Sequence, residues 1–232
     1  GRTEISRQIE DVFEGRIESL NFSAGDTLKD VIECMAERAP LPFIIGGGDG
    51  TVISAAEVLI QYDLPMGILP LGTMNLLAND LGLSGEFSTA LERLKSTRAE
   101  YIDVGLANDR IFLCSAVLGS LTETAVEREK VRKEGVLKNG QDFFSALSRD
   151  VLGEPAYKFT LENEGRKTEI ETSVLVISNN RFMRKPENPD DRIRRESLKE
   201  GQLAVYTALP EGALNGLNLL FRLWRGDWQD HE

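Results

Sequence analysis

Two short segments gather the residues best suited to hold a phosphate. Gly47, Gly48, Asp49, Gly50 and Thr51 stand in unbroken succession, and Gly72, Thr73 and Asn75 follow further along the chain. Glycine lets backbone N–H groups approach a ligand without a Cβ in the way. A helix start just beyond adds donors without intrahelical partners and a positive dipole end. An anion, and specifically a phosphate, is what such a turn favours. The segment is not a Walker loop, since it holds no lysine, and Thr51 stands where a dinucleotide fingerprint needs its third glycine. Asp49 is the anomaly, because a carboxylate inside an anion-binding turn repels the anion. It makes sense if a cation such as Mg²⁺ lies between the two, or if it fixes the loop by accepting backbone N–H bonds. The bland alternative is a tight strand-to-helix turn that binds nothing.

The flanking residues predict the elements that position these groups. Leu41–Ile45 is an apolar run that reads as a buried strand. Val52–Tyr62 reads as a helix with Val52, Ala55, Ala56, Leu59 and Ile60 on one side. The second segment repeats the layout: Met66–Leu69 is the strand, Pro70–Thr73 the loop, and Asn75–Leu81 a helix closed by Gly82. If the two strands are parallel, both loops emerge at the carboxyl edge of one sheet, where α/β proteins bind ligands.

Gly47-Gly48-Asp49-Gly50-Thr51, followed by Gly67-Ile68-Leu69-Pro70-Leu71-Gly72-Thr73-Met74-Asn75, resembles the diacylglycerol kinase catalytic domain family, with its bacterial lipid kinases and its sphingosine and ceramide kinases. The first segment alone is shared with NAD kinases and phosphofructokinase-like enzymes; the second points to the lipid kinase branch. The resemblance continues through Ile102-Asp103-Val104-Gly105 and, more loosely, through Phe112–Gly119, Ser178–Phe182 and Leu198–Val205, so it covers most of the chain. It implies a Rossmann-like α/β nucleotide-binding domain followed by a β-rich sandwich domain with helical insertions, the two facing each other across a cleft. It also implies ATP and Mg²⁺ as cofactors and a lipid hydroxyl as phosphoryl acceptor.

Composition is consistent with this and excludes other classes. The 232 residues carry 41% hydrophobic and 28% charged side chains, ordinary for a globular chain. A net charge of −11 argues against a nucleic-acid partner, which selects a basic face. It also argues against wholesale adhesion to anionic membranes. Cys34 and Cys114 suggest no disulfide framework, in keeping with a reducing cytosol. The single histidine, His231, leaves little scope for histidine catalysis or histidine metal sites. No apolar run reaches the ~18 residues of a membrane span, and no signal peptide is evident. The expected location is cytoplasmic and peripheral to the membrane that holds the lipid; the oligomeric state is not legible.

In order, residues 2–14 read as an amphipathic helix with Ile5, Ile9, Val12 and Phe13 on one face, and Ile17–Phe22 as a strand. Asp26 or Thr27 caps a helix through Ala36 with Leu28, Val31, Ile32 and Met35 inward. A helix near Glu86–Leu94 buries Phe87, Ala90, Leu91 and Leu94. The alternation over residues 1–97 predicts a mostly parallel sheet with helices on its faces. A change of texture near Ser96–Arg98 places the second domain at 98–232. There, Tyr101–Leu106 and Ile111–Ala116 read as a hairpin. Ser120 and Glu123 have capping-box spacing for a helix over 121–133, and a further helix is expected over Gln141–Leu152. Tyr157–Leu161, Glu169–Ser178 and Gln202–Leu209 read as strands, with a turn at Gly165. Residues 213–225 predict a last helix, whose stripe of Leu214, Leu217, Phe221 and Trp224 fits core packing better than membrane docking.

Phosphoryl transfer needs a phosphate cradle, a cation and a base near the accepting hydroxyl. Gly47, Gly48, Gly50 and Thr51 are expected to contact phosphate through backbone N–H groups, with Asp49 in the same nucleotide-binding turn. Gly72, Thr73 and Asn75 match the family's second nucleotide-contacting loop, although Asn75 also suits a helix cap. Asp49 and Asp103 are the matched carboxylates for the metal. Asp103 sits between apolar Ile102 and Val104, so it is metal-linked or hydrogen-bonded, or else an ordinary exposed strand residue.

The departures from the family are specific. Leu76 stands where the family often has an aspartate, with Asp80 one turn on. Ser54 replaces a common glutamate, with Glu57 nearby, and Lys199-Glu200-Gly201 replaces an Asp-Asp-Gly pattern. The family's general base belongs to an Asp-Gly-Glu motif that does not occur here, and its first strand ends in a phosphate loop ahead of Gly1. The expectation is a chain trimmed at both ends, with the base outside it. Two rivals remain: an NAD kinase-like enzyme, and a non-catalytic nucleotide-binding regulatory module. Arg181–Lys199 also concentrates basic residues, and reads as a headgroup-contacting loop or a solvated loop with internal ion pairs.

Overall fold

The protein is described by a computed structural model over residues 2–14, 26–83, 87–119, 157–183 and 194–207. The chain divides into two compact units, Gly1–Ile102 with Asn108–Ile111, and Asp103–Ala107 with Phe112–Glu232. The strand expected over Ile17–Phe22, the helices over 121–133, Gln141–Leu152 and 213–225, and the end of the last expected strand lie outside the described residues.

The first unit is an α/β layer structure. Strands β1 (Phe43–Gly47) and β2 (Met66–Pro70) pair in parallel, with Ile45 opposite Ile68 and Gly47 opposite Pro70. Successive strand residues point to opposite faces, so each strand feeds two cores. On one face Ile45 packs with Ile32 of α2 (Leu28–Arg38) and with Ala55, Val58 and Leu59 of α3 (Asp49–Leu59). On the other, Leu69 packs with Ala90 and Leu91 of α5 (Phe87–Ser96), and Ile44 joins Ile9, Val12 and Phe13 of α1 (Arg2–Phe13). The short helix α4 (Leu76–Asp80) follows β2 and buries Leu77 and Ala78.

Two predicted boundaries move. Helix α3 starts at Asp49 rather than Val52, so Asp49 and Gly50 form its first turn. It tightens into a 3₁₀ turn over Ile60–Tyr62, which leaves Ile60 half exposed instead of in the core.

The second unit is β-rich. Strand β3 (Gly105–Ala107) belongs to it, while β4 (Arg110–Phe112) begins in the first unit and ends in the second; strand β5 (Ser115–Gly119) pairs antiparallel with β8 (Val174–Asn179), and β8 with β9 (Leu203–Thr207). Strands β6 (Tyr157–Asn163) and β7 (Arg166–Thr172) form a hairpin. Its two-residue turn, Glu164-Gly165, has positive φ at both positions, the conformation that matches the twist of the flanking strands. The single strand expected over Glu169–Ser178 is therefore two. It breaks at Ser173, where the buried Thr172 hydroxyl bonds to both the N–H and the carbonyl of Val174.

Candidate functional site

The parallel pairing of β1 and β2 brings both glycine-bearing turns to the same carboxyl edge, as the sequence pattern requires of a shared site. The first turn has little slack. A Cβ on Gly47 would lie 2.6–2.8 Å from the Thr51 side chain, and one on Gly48 would lie 3.2 Å from Gly72 Cα. Gly47 is the last residue of β1, and its carbonyl accepts the Leu71 amide at 3.1 Å. Gly48 is the N-cap of α3, and its carbonyl takes the amides of Thr51 at 3.0 Å and Val52 at 3.1 Å. The Thr51 amide, expected to face phosphate, is thus engaged inside the helix. The amides of Asp49 and Gly50, in the first turn, are the ones a helix leaves without an intrahelical acceptor. Gly50 is exposed, and a Cβ there would meet nothing within 4 Å.

The second turn is held by its own side chains. Asn75 adopts the left-handed conformation, φ +49°. Its Oδ1 accepts the Gly72 amide at 2.8 Å, while its Nδ2 donates to the Gly72 carbonyl at 2.8 Å. Asn79 Nδ2 donates to the Met74 carbonyl at 2.9 Å. Asn75 stands at the N-cap of α4 but makes no side-chain cap bond. That role falls to the other turn: Asp49 Oδ1 accepts the Leu76 amide at 2.7 Å, across 27 residues of sequence. A Cβ on Gly72 would approach Gly48 Cα to 2.4 Å and Asn75 Oδ1 to 2.8 Å, so the two backbones are in direct contact. Thr73 is exposed between them.

Asp103 lies in the second unit, and the strand expected around it is absent: Tyr101–Val104 is irregular, and β3 begins at Gly105. The reason is where its backbone bonds go. Asp103 donates its amide to the Leu198 carbonyl at 2.7 Å, and its own carbonyl accepts Asn179 Nδ2 at 2.7 Å. Its Oδ2 accepts Asn180 Nδ2 at 2.9 Å and the Gly201 amide at 2.6 Å. The Asn180 bond, then the Gly201 bond, holds the carboxyl below its ordinary 3.8. Asn180 is fully buried at φ +72°, Gly201 sits at φ +64°, and the Asn180 Oδ1 has no partner among the described residues. The sequence names Gly201 only within Lys199-Glu200-Gly201 and Asn180 only within Ser178–Phe182, and marks neither as a partner of Asp103. The Asn179-Asn180 pair, one residue after the apolar run Val174–Ile177, is the available signal, since asparagine enters the left-handed region more readily than other side chains.

Neither expected carboxylate is saturated. Asp49 Oδ2 and Asp103 Oδ1 have no hydrogen-bond partner among the described residues. Mg²⁺ is commonly held by one or two carboxylates with waters and substrate phosphates, so each of these oxygens suits such an ion. Among the described residues no three acidic, His or Cys side chains gather into a metal cage. Of the neighbouring candidates, Ser54 Oγ donates to the Gly50 carbonyl at 2.9 Å, and Glu57 is paired with Arg110, Nε to Oε1 2.5 Å.

Arg195 itself does not fit the reading of Arg181–Lys199 as headgroup contact or solvated loop. It is 4% exposed. Its guanidinium donates to the carbonyl of Leu113, to the carbonyl of Asn179 at 3.1 Å, and toward Cys114 Sγ at 3.5 Å. A fork of five donors suits strand-end carbonyls, and burying the charge is tolerable because the donors are engaged. The residues over 184–193 lie outside those described.

Comparison with known proteins agrees with this layout. The family model for the diacylglycerol kinase catalytic domain matches residues 1–107. A Staphylococcus epidermidis protein named "Putative lipid kinase" is 32% identical over 145 residues, covering 59% of this chain and 44% of its own. A Pseudomonas fluorescens protein named "Probable lipid kinase YegS-like" is 34% identical over 165 residues, covering 70% of this chain and 54% of its own. The chain therefore spans about half the length of these relatives. The solved structure of a "putative diacylglycerol kinase" from Bacillus anthracis superposes with a TM-score of 0.72 over 99% of this chain and 75% of that one, at 17% identity. At that identity the likeness establishes the fold.

Proposed function

We propose, from the match of residues 1–107 to the family model of the diacylglycerol kinase catalytic domain, that the protein is an ATP- and Mg²⁺-dependent lipid kinase, moving the γ-phosphoryl group to a lipid hydroxyl such as that of diacylglycerol. The observation that carries this reading is the contact of Gly48 with Gly72, which joins two glycine turns at the carboxyl edge of parallel strands. The nucleotide phosphates lie along that edge. The open amides of Asp49 and Gly50 and the α3 dipole face them from the first turn, with Gly47 and Thr51 shaping it. Gly72, Thr73 and Asn75 border them from the second.

Asp49 Oδ2, at the glycine-turn edge, is the oxygen offered to Mg²⁺, which when bound would neutralise charge on the phosphates; Asp103 Oδ1, within the second unit, is a separate candidate for a cation. The remaining work of these residues is positional: rigid turns fix the phosphates, and fixed donors are most effective where charge develops. No residue of this chain is assigned as the base. The acceptor is a membrane lipid, which makes the protein a peripheral, cytoplasmic one. No helix among the described residues is long and apolar enough to cross a membrane.

The test is phosphoryl transfer itself. The full-length protein, with radiolabelled ATP, Mg²⁺ and diacylglycerol in mixed micelles, is expected to place label in the lipid fraction. Label in NAD instead would support the NAD kinase-like reading. ATP binding without transfer to any lipid would support a nucleotide-binding regulatory module.

A further inference from the structure

The sequence leaves Asp49 with two explanations, and the hydrogen bonds separate them. Its carboxylate does not cap its own helix. It reaches from the first turn of α3 to the amide that opens α4, Asp49 Oδ1 to Leu76 N at 2.7 Å. The residue normally expected to do this is Asn75, at the N-cap of α4. Its side chain is occupied with both backbone groups of Gly72, and its left-handed backbone makes no cap. The second turn is therefore closed on itself by Asn75 and tied to the first by Asp49. The Leu71 amide on the Gly47 carbonyl and the Gly48–Gly72 backbone contact complete the junction.

We propose that Asp49 is the positioning residue that holds the Gly72–Asn75 turn in register with the amides at the start of α3, by accepting the Leu76 N–H. This rests on the nucleotide reading of the edge and deepens it: the two turns form one preassembled clamp rather than two loops that converge on a ligand. The carboxylate's charge is offset by the positive ends of the two helices between which it sits. The bracing role uses Oδ1 and leaves Oδ2 for a cation. What that role demands is an acceptor oxygen of aspartate length.

Two substitutions separate placement from charge. Asp49→Asn keeps an acceptor oxygen at the same reach and removes the charge. Asp49→Glu keeps the charge and displaces the oxygens. In the ligand-free chain, Leu76 amide exchange is expected to be slow in the wild type and in D49N, and fast in D49E. Titration with ATP and Mg²⁺, followed by amide shifts, is expected to move Gly48–Gly50 and Gly72–Thr73 with one dissociation constant in the wild type. In D49E it should weaken by roughly tenfold and move the two turns unequally. D49E protecting the Leu76 amide as the wild type does, while D49N loses that protection in the ligand-free chain, would overturn the proposal, since charge would then be the requirement. Equal Leu76 exchange in all three proteins would overturn it as well. If ATP moves neither turn in the wild type, the nucleotide reading fails, and the exchange experiment still decides whether Asp49 braces the turn.

Discussion

At the scale of single residues, the glycines of the two turns separate into those the fold requires and one it does not. A Cβ on Gly72 would meet the Gly48 backbone at 2.4 Å, an atom that cannot rotate away. Gly72→Ala is expected to destabilise the first unit by ~1–3 kcal/mol, the usual cost of overpacking, read as a shift in the urea midpoint. Gly50 is the contrasting case. It lies in the first turn of α3, exposed, with open space where a Cβ would be. Alanine there should leave the fold intact or add ~0.5–1 kcal/mol, because glycine is the costlier helix residue. If phosphate sits against that amide, Gly50→Ala should nevertheless weaken ATP binding by about tenfold, or about 1.4 kcal/mol. Titration calorimetry checks this. Unchanged affinity would remove Gly50 from the contact surface. Opposite effects on stability and affinity at one position would identify a glycine kept for its ligand rather than for its turn.

At the scale of elements, α2 shows how completely a local signal can determine a boundary. Thr27 Oγ1 accepts the Asp30 amide at 3.2 Å. In return, Asp30 Oδ2 accepts the Thr27 amide at 3.2 Å and its hydroxyl at 2.6 Å, which makes a reciprocal capping box. Thr27→Ala should cost ~1 kcal/mol of stability. Asp30 brings a pH dependence with it. The Thr27 hydroxyl, then the Thr27 amide, holds its carboxyl below the ordinary 3.8. A carboxyl lowered on folding supports the folded state above its unfolded value, and that support is lost as pH falls through the folded value. Amide exchange in α2 should therefore quicken as pH drops below 3.8, beyond the intrinsic change, and Thr27→Ala should flatten that response. Signals of this kind made the first unit legible: the cap at Thr27, the helical spacing of Phe87, Ala90, Leu91 and Leu94, and the two strand–turn–helix repeats are all contained in short windows. What escaped depends on contacts that no window holds. That Asp49 caps α4 cannot be read from either turn alone, because the acceptor and the amide are far apart in sequence. Asp103 was placed in a strand because Ile102 and Val104 flank it, yet its backbone bonds run to Leu198 and Asn179. Arg195 was read by the charges beside it, whereas strand-end carbonyls decide its place. The break at Ser173 turns on one threonine hydroxyl, inside an apolar run that period alone reads as continuous.

At the scale of the molecule, the chain does not pass once from the first unit to the second. Asp103–Ala107 belongs to the second unit, Asn108–Ile111 to the first, and the second resumes at Phe112. Each crossing segment is fixed by a bond within its own unit. Arg110 is paired with Glu57 on α3, at 2.5 Å and 3.3 Å through two nitrogens. Asp103 ties together three stretches of the second unit: its own, the end of β8 through Asn179 and Asn180, and the Leu198–Gly201 segment before β9. Its carboxylate answers an exposed amide and a buried carboxamide at once, so removing it strands the Asn180 donor, which water reaches poorly. The expected effect of Asp103→Ala is confined to one unit. In hydrogen exchange, peptides spanning 174–183 and 198–207 should exchange faster, while those spanning β1, α3 and β2 keep their protection, as expected for cooperative units that open separately. Asp103→Asn, which retains an acceptor for Gly201 or Asn180, should fall between the two. If the carboxylate instead served only a bound cation, the ligand-free protein would show no change at either set of peptides, and the structural role assigned to Asp103 would be wrong.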